Sequence, residues 1–305
     1  MKATTPAVVR GLGIDAGGTR TRWAVADAAG AIVAEGGVAG FSATQLAGDA
    51  GREAVRGQLL ALARQVLAAG PVDAVCAGVS GFGGDGALLT GWLAEALALP
   101  PAVVALRSDI EIAYLDSFAP GEGYLVYAGT GSIAAWIAAD GEFHRAGGRG
   151  VTLDDGGGGF WIAREAMRHI WRREDEEPGA WRRSAMARAV FDHVGGSDWA
   201  LSRQFMYGQD RGAIGRLALA VAASADADPV ARGIVEQAGR ELARIGLALV
   251  RRYGPRPIAL AGRAATLHPL IAQAMRAALP ADLPLIQRET QAHHAAARIA
   301  LNSWN

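Results

Sequence analysis

A glycine-rich turn between two apolar segments, close to the beginning of the chain, is the feature that most constrains the fold. The apolar run from position 8 to Ile14 predicts a buried strand that ends at Asp15, and residues 20–27 predict a second strand running back. Gly17 and Gly18 supply the tight turn, where glycine can adopt a positive φ and leaves its N–H open to an anionic oxygen. The Asp15 carboxylate could hold Mg²⁺ through water. Taken alone, the pattern is more typical of a plain β-hairpin than of a phosphate site.

The same layout recurs in the second half of the chain and favours the phosphate site. An apolar strand leads into Gly129-Thr130-Gly131-Ser132, and the strand that follows carries Trp136 where the first copy carries Trp23. No carboxylate corresponds to Asp15, so only the first copy could serve a metal. Two such hairpins predict two related halves that hold one nucleotide's phosphates from both sides. The residues expected to contact phosphate are Gly17, Gly18, Thr19, Thr130, Gly131 and Ser132.

Two common nucleotide-binding motifs do not fit these turns. A Walker loop would need Gly-Lys-Ser/Thr after the glycines, and Lys2 is the only lysine in the chain. A Rossmann fingerprint would open a helix, whereas a strand follows here.

Composition limits the class of protein further. The chain has 305 residues, which is long for one core and fits two domains. Zero net charge with 51% hydrophobic and 20% charged residues indicates a soluble globular protein without a nucleic-acid or membrane surface. The single cysteine, Cys76, excludes an intrachain disulfide and is expected in a buried strand. No apolar run approaches the ~20 residues that span a bilayer. No signal-peptide pattern precedes the first strand, so a cytoplasmic protein is expected.

Strand and helix periodicities alternate in both halves, which predicts an α/β protein with mixed sheets. In the first half, strands are predicted at about 8–14, 20–27, 31–37, 72–79 and 103–106, and helices at about 48–69 and 86–98. In the second half, the hairpin repeats from Tyr124, and a strand is predicted at 257–261. Helices are predicted there at about 160–173, 180–193, 199–207, 210–224, 227–253, 264–279 and 290–301. The charged run 172–178 is interpreted as a solvated turn, because mixed charges are costly to bury.

Asp109 is the leading catalytic candidate. It follows a buried strand, and the carboxyl ends of strands face the crevice where open α/β sheets bind ligands. Phosphoryl transfer to a hydroxyl needs a base beside the attacking oxygen. The alternative is an N-cap for the helix over 110–117, a position that aspartate suits well.

Five stretches, in order along nearly the whole chain, together resemble one family. They are Ile14-Asp15-Ala16-Gly17-Gly18-Thr19, Ser108-Asp109, Ala128-Gly129-Thr130-Gly131-Ser132, residues 147–162, and Ala259-Leu260-Ala261-Gly262-Arg263. The set is similar to the superfamily of sugar kinases, heat-shock chaperones and actin. Within it, the chain resembles the N-acetylglucosamine kinase and glucosamine kinase branch of the BadF/BadG/BcrA/BcrD ATPase family.

This resemblance implies an α/β fold of two ribonuclease H-like (actin-like ATPase) domains with mixed five-stranded sheets around a central cleft. The first domain would span 1–117 with a closing helix at about 289–305. The nucleotide-binding domain would span 118–288 and carry a helical insertion. The implied activity transfers the γ-phosphoryl group of ATP to a hydroxyl of N-acetylglucosamine or glucosamine. ATP and Mg²⁺ would be the cofactors, Asp15 the metal residue and Asp109 the catalytic base, and a homodimer is expected.

The resemblance also assigns roles to other residues. The substrate-binding set would be Ser42, Thr44, Ser108, Asp109, Gly148, Arg149 and Asp155, and Gly262 with Arg263 would contact adenosine. Read from the residues alone, the less favoured alternative for the segment over 147–159 is a flexible loop that caps the next helix. The stretch around Gly262 could equally be an ordinary strand-to-helix turn. The chain departs from the N-acetylglucosamine kinases at three positions: Thr44 replaces an Asn, Arg149 a Trp, and Gly156 a Glu. A hexosamine therefore stays the expected substrate, and the N-acetyl group stays open.

Two other functions are compatible with such a fold. An ATPase activator of the BadF type bridges an iron–sulfur cluster with paired cysteines, and the single Cys76 argues against it. A sugar or nucleotide sensor would lack catalysis. The regulators of related folds carry an N-terminal helix-turn-helix segment, for which the sequence before the first hairpin leaves no room.

Overall fold

The structure is a computed structural model that describes residues 9–84 and 86–302. Position 8, predicted as part of the first strand, and residues 303–305, expected in the closing helix, lie outside this range. The chain divides into two compact units. The first takes the described residues up to Asp116 together with those from Gln291 onwards, and the second is Ser117–Thr290.

The first unit is built on a five-stranded mixed sheet, with strand order β3-β2-β1-β4-β5 in the described residues. Its strands are β1 (Gly11–Ala16), β2 (Arg20–Ala26), β3 (Ile32–Ala39), β4 (Ala74–Val79) and β5 (Val104–Ser108). β1, β2 and β3 form an antiparallel meander, whereas β4 and β5 run parallel to β1. The carboxyl ends of β1, β4 and β5 therefore meet at one edge of the sheet.

Helices cover both faces of this sheet. They are α1 (Asp49–Ala68), α2 (Ala87–Leu97), α3 (Asp109–Ser117) and α11 (Ala292–Asn302). Leucine and valine side chains of α1 and α2 pack on the face that carries Leu12 and Ile14. The opposite face carries small residues, so α11 can lie close to the strands. A Cβ at Gly13 would lie 2.1 Å from the Ala297 nitrogen, which leaves room only for glycine there.

The second unit repeats the topology. Its strands are β6 (Tyr124–Ala128), β7 (Ser132–Ile137), β8 (Phe143–Gly147), β9 (Ile258–Ala261) and β10 (Leu285–Gln287). The order β10-β9-β6-β7-β8 again joins an antiparallel meander to two parallel strands. The predicted α/β class, with a mixed five-stranded sheet in each half, is confirmed.

A mainly helical insertion separates β8 from β9. Its helices are α4 (Gly159–Glu176), α5 (Ala185–Val194), α6 (Trp199–Gly208), α7 (Arg211–Arg216), α8 (Ala218–Ala223) and α9 (Pro229–Tyr253), and α10 (Pro269–Ala278) follows β9. None of the helices in the described part of the chain combines the length and apolar character needed to cross a bilayer.

Four predicted elements were wrong in their bounds. The charged run 172–178 is not a turn, because α4 continues to Glu176 and Arg173 pairs with Glu176 and Glu177 along one helix face. The helix predicted over 180–193 is interrupted at Ser184, which ends a short 3-10 helix (Ala180–Arg183) and is the N-cap of α5. The helix predicted over 210–224 is divided into α7 and α8. The helix predicted over 264–279 begins only at Pro269, where His268 is the N-cap.

Candidate active site

The carboxyl-terminal edge of the first sheet brings three polar residues together. Ala16 pairs with Val79, and Val79 with Ser108, so β1, β4 and β5 end at the same level. Asp15 lies at the end of β1, Ser80 directly follows β4, and Asp109 directly follows β5. Ligands of open α/β sheets bind at this edge.

The Asp109 carboxylate is held from two sides. The Ser80 hydroxyl donates a hydrogen bond to Oδ2, and the Ile110 N–H donates to Oδ1 at 2.9 Å. Burial raises the pKa of Asp109 above its ordinary value, and the nearby negative charge of Asp15 raises it further. The hydrogen bond from Ser80 acts in the opposite direction. A buried carboxylate with a raised pKa is suited to accept a proton.

Ser108, and not Asp109, caps α3. The Ser108 hydroxyl lies 3.2 Å from the Glu111 N–H, and the Glu111 carboxylate accepts the Ser108 N–H at 2.9 Å. This reciprocal pair is a capping box. The capping alternative for Asp109 is therefore wrong. The Ser108 hydroxyl was predicted to bind substrate. It also donates to the Glu111 carboxylate at 2.8 Å, so its hydrogen bonds are made within the first turn of α3.

Asp15 forms an ion pair with Arg22, its partner across β1 and β2, at 3.1 Å. The Asp15 side chain keeps 20% of its surface exposed, so it is partly accessible to solvent. Mg²⁺ commonly binds proteins through one or two carboxylates and completes its shell with water and phosphate oxygens. A partly exposed carboxylate next to a glycine turn fits that pattern.

The first glycine turn closes tightly and is open to solvent. The Gly17 N–H donates to the Arg20 carbonyl at 3.1 Å, and a Cβ at Gly18 would meet no atom within 4 Å. Gly17 and Gly18 are not among the described glycines with positive φ. The absence of a side chain above the turn, and not an unusual backbone conformation, is what glycine contributes here. Thr19 is exposed beside it.

The loop after β3 lies beside the same edge. The hydroxyls of Ser42 and Thr44 are 2.8 Å apart, and the Ala43 N–H donates to the Ser80 carbonyl at 2.9 Å. Thr44 also packs against Gly81, where a Cβ would lie 2.9 Å from its methyl carbon. The predicted substrate residues Ser42 and Thr44 are thus attached to the segment that holds Asp109.

Ser80 is the residue of this site that the sequence analysis missed. It begins a loop directly after a fully buried strand, at the same sheet edge as Asp15 and Asp109. That position was the available signal, because a hydroxyl at the end of a central parallel strand faces the ligand edge.

In the second unit, the equivalent turn is braced by the glycine-rich segment 156–159. The Gly159 N–H donates to the Gly129 carbonyl at 2.8 Å, and the Phe160 N–H to the Thr130 carbonyl at 2.9 Å. Thr130 is exposed at the tip. The Ser132 hydroxyl is buried and donates to the Gly156 carbonyl at 2.7 Å, so its side chain holds the turn in place.

Asp155 packs directly on the second turn. A Cβ at Gly131 would lie 2.1 Å from Asp155 Oδ2, and the Gly150 N–H donates to Oδ1 at 3.0 Å. Asp155 has a φ of 55°, a left-handed conformation that aspartate tolerates better than most residues. Burial raises its pKa, and backbone hydrogen bonds from Gly150 and Arg149 act against that rise. Asp155 thus fixes both the turn and the 148–150 backbone.

Gly148 and Arg149, also predicted to bind substrate, lie in the same segment as Asp155. Gly148 has a φ of 62° and donates its N–H to the Ser132 carbonyl at 3.0 Å, while the Arg149 residue is exposed. A Cβ at Gly156 would lie 3.0 Å from Glu241 Oε2. The Glu241 carboxylate from α9 thus approaches the position where the resembling kinases carry a glutamate.

The predicted adenosine residues form a turn and not a helix start. Gly262 has a φ of 96°, and a Cβ there would lie 2.3 Å from the Ala128 carbonyl oxygen. The Ala264 N–H donates to that carbonyl at 2.8 Å, and Arg263 is exposed on the turn. The turn is thereby fixed to the strand that leads into Gly129.

Comparison with solved structures defines the class of fold. A proposed N-acetylglucosamine kinase from Chromobacterium violaceum is 27% identical, with a TM-score of 0.75, over 97% of this chain and 100% of that chain. A proposed N-acetylglucosamine kinase from Porphyromonas gingivalis gives a TM-score of 0.75 at 17% identity, over 95% and 98% of the two chains. A ROK family glucokinase from Streptomyces griseus, in complex with glucose and AMPPNP, gives 0.62 at 18% identity, over 97% and 100%. The fold is that of the sugar kinases.

The family follows from the sequence itself. A model of the BadF/BadG/BcrA/BcrD ATPase family matches residues 12–279, so the chain belongs to this family. Family and fold together support the predicted enzyme class, an ATP-dependent carbohydrate kinase. No match was found among curated proteins.

Proposed function

We propose that this protein is an ATP-dependent hexosamine kinase that phosphorylates a hydroxyl of N-acetylglucosamine or glucosamine. The observation that carries the proposal is the half-buried Asp109, whose carboxylate accepts a hydrogen bond from Ser80 at the ligand edge of the first sheet. Membership of an ATPase family and a fold shared with sugar kinases support ATP and a sugar as the two substrates.

In the proposed reaction, Asp109 accepts the proton of the attacking sugar hydroxyl. The hydroxyl oxygen forms a bond to the γ-phosphorus, the bond from that phosphorus to the β–γ bridging oxygen breaks, and ADP leaves. The raised pKa of Asp109 makes its carboxylate a stronger base than an ordinary carboxylate. Ser80 orients the carboxylate and limits the rise of its pKa.

Phosphate binding is assigned to the two glycine turns. Gly17, Gly18 and Thr19 offer an exposed backbone without a side chain above Gly18. In the second unit, Gly131 and the exposed Thr130 would contact phosphate, while Ser132 and Asp155 support the turn. Gly262 and Arg263 are proposed to border the adenosine.

Asp15 is proposed to hold Mg²⁺ together with the nucleotide. The ion would supply neutralisation of phosphate charge as that charge shifts during transfer. Asp15 itself would orient the ion from the end of β1, while Arg22 holds the carboxylate in place.

The sugar is proposed to bind beside Asp109, at the loop that carries Ser42 and Thr44. A hexosamine is favoured because both proposed N-acetylglucosamine kinases align over nearly the whole chain. Thr44, Arg149 and Gly156 depart from the residues of that group, so glucosamine is retained beside N-acetylglucosamine.

An activator that bridges a metal cluster receives no support. Cys76 lies inside β4 with no exposed surface, and burial raises the pKa of its thiol to about 11. A buried, protonated thiol is a poor cluster ligand.

The proposed transfer is tested by incubating the protein with γ-labelled ATP and each amino sugar. We expect the label to appear on the sugar, and the Asp109→Asn variant to leave the label on ATP. Label released only as inorganic phosphate would overturn the kinase proposal in favour of an ATPase.

A further inference from the structure

A cluster of two histidines and one glutamate lies in the first unit, away from the strand ends that carry Asp15 and Asp109. Glu35 is on β3, and His293 and His294 lie in the first turn of α11. One row of neighbouring residues crosses four strands of the sheet and consists of Cys76, Gly13, Ala24 and Glu35. The backbone of α11 lies against this row at Gly13, which brings its first histidines to Glu35.

The three side chains converge. His294 Nε2 lies 2.7 Å from Glu35 Oε2, and His293 Nε2 lies 3.7 Å from the same oxygen. The two imidazole centroids are 4.3 Å apart. One donor atom from each of the three residues falls within 4.8 Å of the other two.

His293 supplies a second, independent observation. The residue is 6% exposed, yet its Nδ1 has no hydrogen-bond partner in the described part of the chain. Its Nε2 is beyond hydrogen-bond distance of Glu35. A buried imidazole whose nitrogens lack hydrogen bonds is costly, and a cation bound at Nε2 would satisfy the nitrogen that faces Glu35.

We propose that Glu35, His293 and His294 bind a divalent transition metal, with Zn²⁺ as the ion that fits best. Two imidazole nitrogens and one carboxylate oxygen are a donor set that Zn²⁺ takes, and a water would complete a tetrahedron. Zn–ligand bonds of about 2.0–2.2 Å place ligand atoms roughly 3.3 Å apart. The observed separations of 2.7 and 3.7 Å lie on either side of that value.

This site differs in chemistry from the one proposed at Asp15. Mg²⁺ prefers oxygen ligands, so the two histidines select against it. Arg22 lies two residues along β2 from Ala24, the residue that pairs with Glu35, and its positive charge disfavours any cation bound at the histidine cluster. A bound metal would join α11 to the edge strand β3 and so hold the end of the described chain on the sheet.

The test titrates ZnCl₂ into the chelator-treated, full-length protein in excess Mg²⁺, followed by calorimetry and by thermal melting. We expect one Zn²⁺ per chain and a higher melting temperature with Zn²⁺. Glu35→Gln and His294→Ala should each weaken Zn²⁺ binding by about tenfold or more. Mutation of a residue that only hydrogen-bonds to a metal ligand already lowers metal affinity by about that factor. Glu35 is well exposed, so Glu35→Gln is expected to fold.

His169→Ala is the matched control, because His169 is an exposed histidine on α4 and should leave Zn²⁺ binding unchanged. Absence of stoichiometric binding would overturn the proposal. Wild-type affinity in both Glu35→Gln and His294→Ala would overturn it as well.

Discussion

The Ser80 hydroxyl donates a hydrogen bond to Oδ2 of Asp109, although 29 positions separate the two residues in the chain. The contact exists because β4 and β5 are parallel neighbours that end at the same level. It stabilises the ionised form of a carboxylate whose burial favours the protonated form. The balance of these two effects sets the pKa of the proposed base.

Replacement of Asp109 by asparagine should separate catalysis from stability. We expect sugar phosphorylation to fall by about 10²–10⁴-fold, the usual contribution of a general base, with ATP binding retained. The measurement is kcat from coupled ADP release, together with calorimetric ATP binding. Substantial sugar-dependent turnover in Asp109→Asn would contradict the assigned role.

The same variant should be more stable than the wild type at neutral pH. Folding raises the pKa of Asp109, so the native state binds its proton more tightly than the unfolded chain does. At a pH above both pKa values the buried charge therefore destabilises the fold, and this cost disappears as the pH falls through the raised, native pKa. The difference in melting temperature between Asp109→Asn and wild type should be positive at pH 7 and shrink toward acid pH. A lower melting temperature at pH 7 would oppose this account.

Ser80→Ala should shift the acidic limb of the pH–kcat profile to higher pH. Loss of a hydrogen bond to a charged group costs about 1.5–3 kcal/mol, which corresponds to an upward shift of about one pH unit or more. KM for ATP should change little, because the substitution removes only the Ser80 hydroxyl, which contacts Asp109, and keeps the Ser80 N–H that donates to the Ala16 carbonyl before the first glycine turn. An unchanged pH profile with a general loss of activity would indicate a purely structural role for Ser80.

Asp15→Asn should shift the acidic limb of the pH–kcat profile to lower pH, opposite to Ser80→Ala. The negative charge of Asp15 raises the pKa of Asp109, so its removal should lower that pKa and extend activity to lower pH. The variant should also need more Mg²⁺ for half-maximal rate, if Asp15 holds the ion. Unaltered Mg²⁺ dependence would remove Asp15 from the metal site.

Alanine substitutions in the two glycine turns should differ in their effect on thermal stability. Gly131→Ala places a Cβ 2.1 Å from Asp155 Oδ2, so we expect a lower melting temperature and weaker ATP binding. At Gly18 a Cβ meets nothing within 4 Å, so Gly18→Ala should melt as the wild type does and only raise KM for ATP. Gly18→Ala is therefore the control for folding, and a wild-type KM in this variant would speak against phosphate binding at the first turn.

Much of the fold could be predicted from the sequence because it rests on local patterns. The duplicated hairpin and the alternation of strands and helices indicated two mixed sheets, and both are present. The helix ends that were predicted wrongly depend on side-chain and long-range interactions, which local sequence patterns do not show. α4 extends through its charged end because Arg173 pairs along the helix with Glu176 and Glu177. The helix predicted from 264 starts late because Gly262 and Ala264 are fixed to the Ala128 carbonyl of another strand.

The candidate site was predictable where a residue type and a strand end coincide, as at Asp15 and Asp109. Ser80 was missed, since a serine before a glycine-rich loop is common and only the sheet register brings it to Asp109. The packing of Asp155 on Gly131 was equally invisible, because it joins two loops 24 positions apart through one carboxylate. Such long-range contacts decide which polar side chains remain available to a ligand.

The most direct test of the proposed function is Mg·ATP-dependent ADP release against a panel of sugars. The panel holds glucosamine, N-acetylglucosamine, glucose, N-acetylmannosamine and a sample without sugar. The account predicts strong stimulation by glucosamine or N-acetylglucosamine, little by the others, and none in Asp109→Asn. ADP release that is independent of sugar, or best with glucose, would contradict the assignment as a hexosamine kinase.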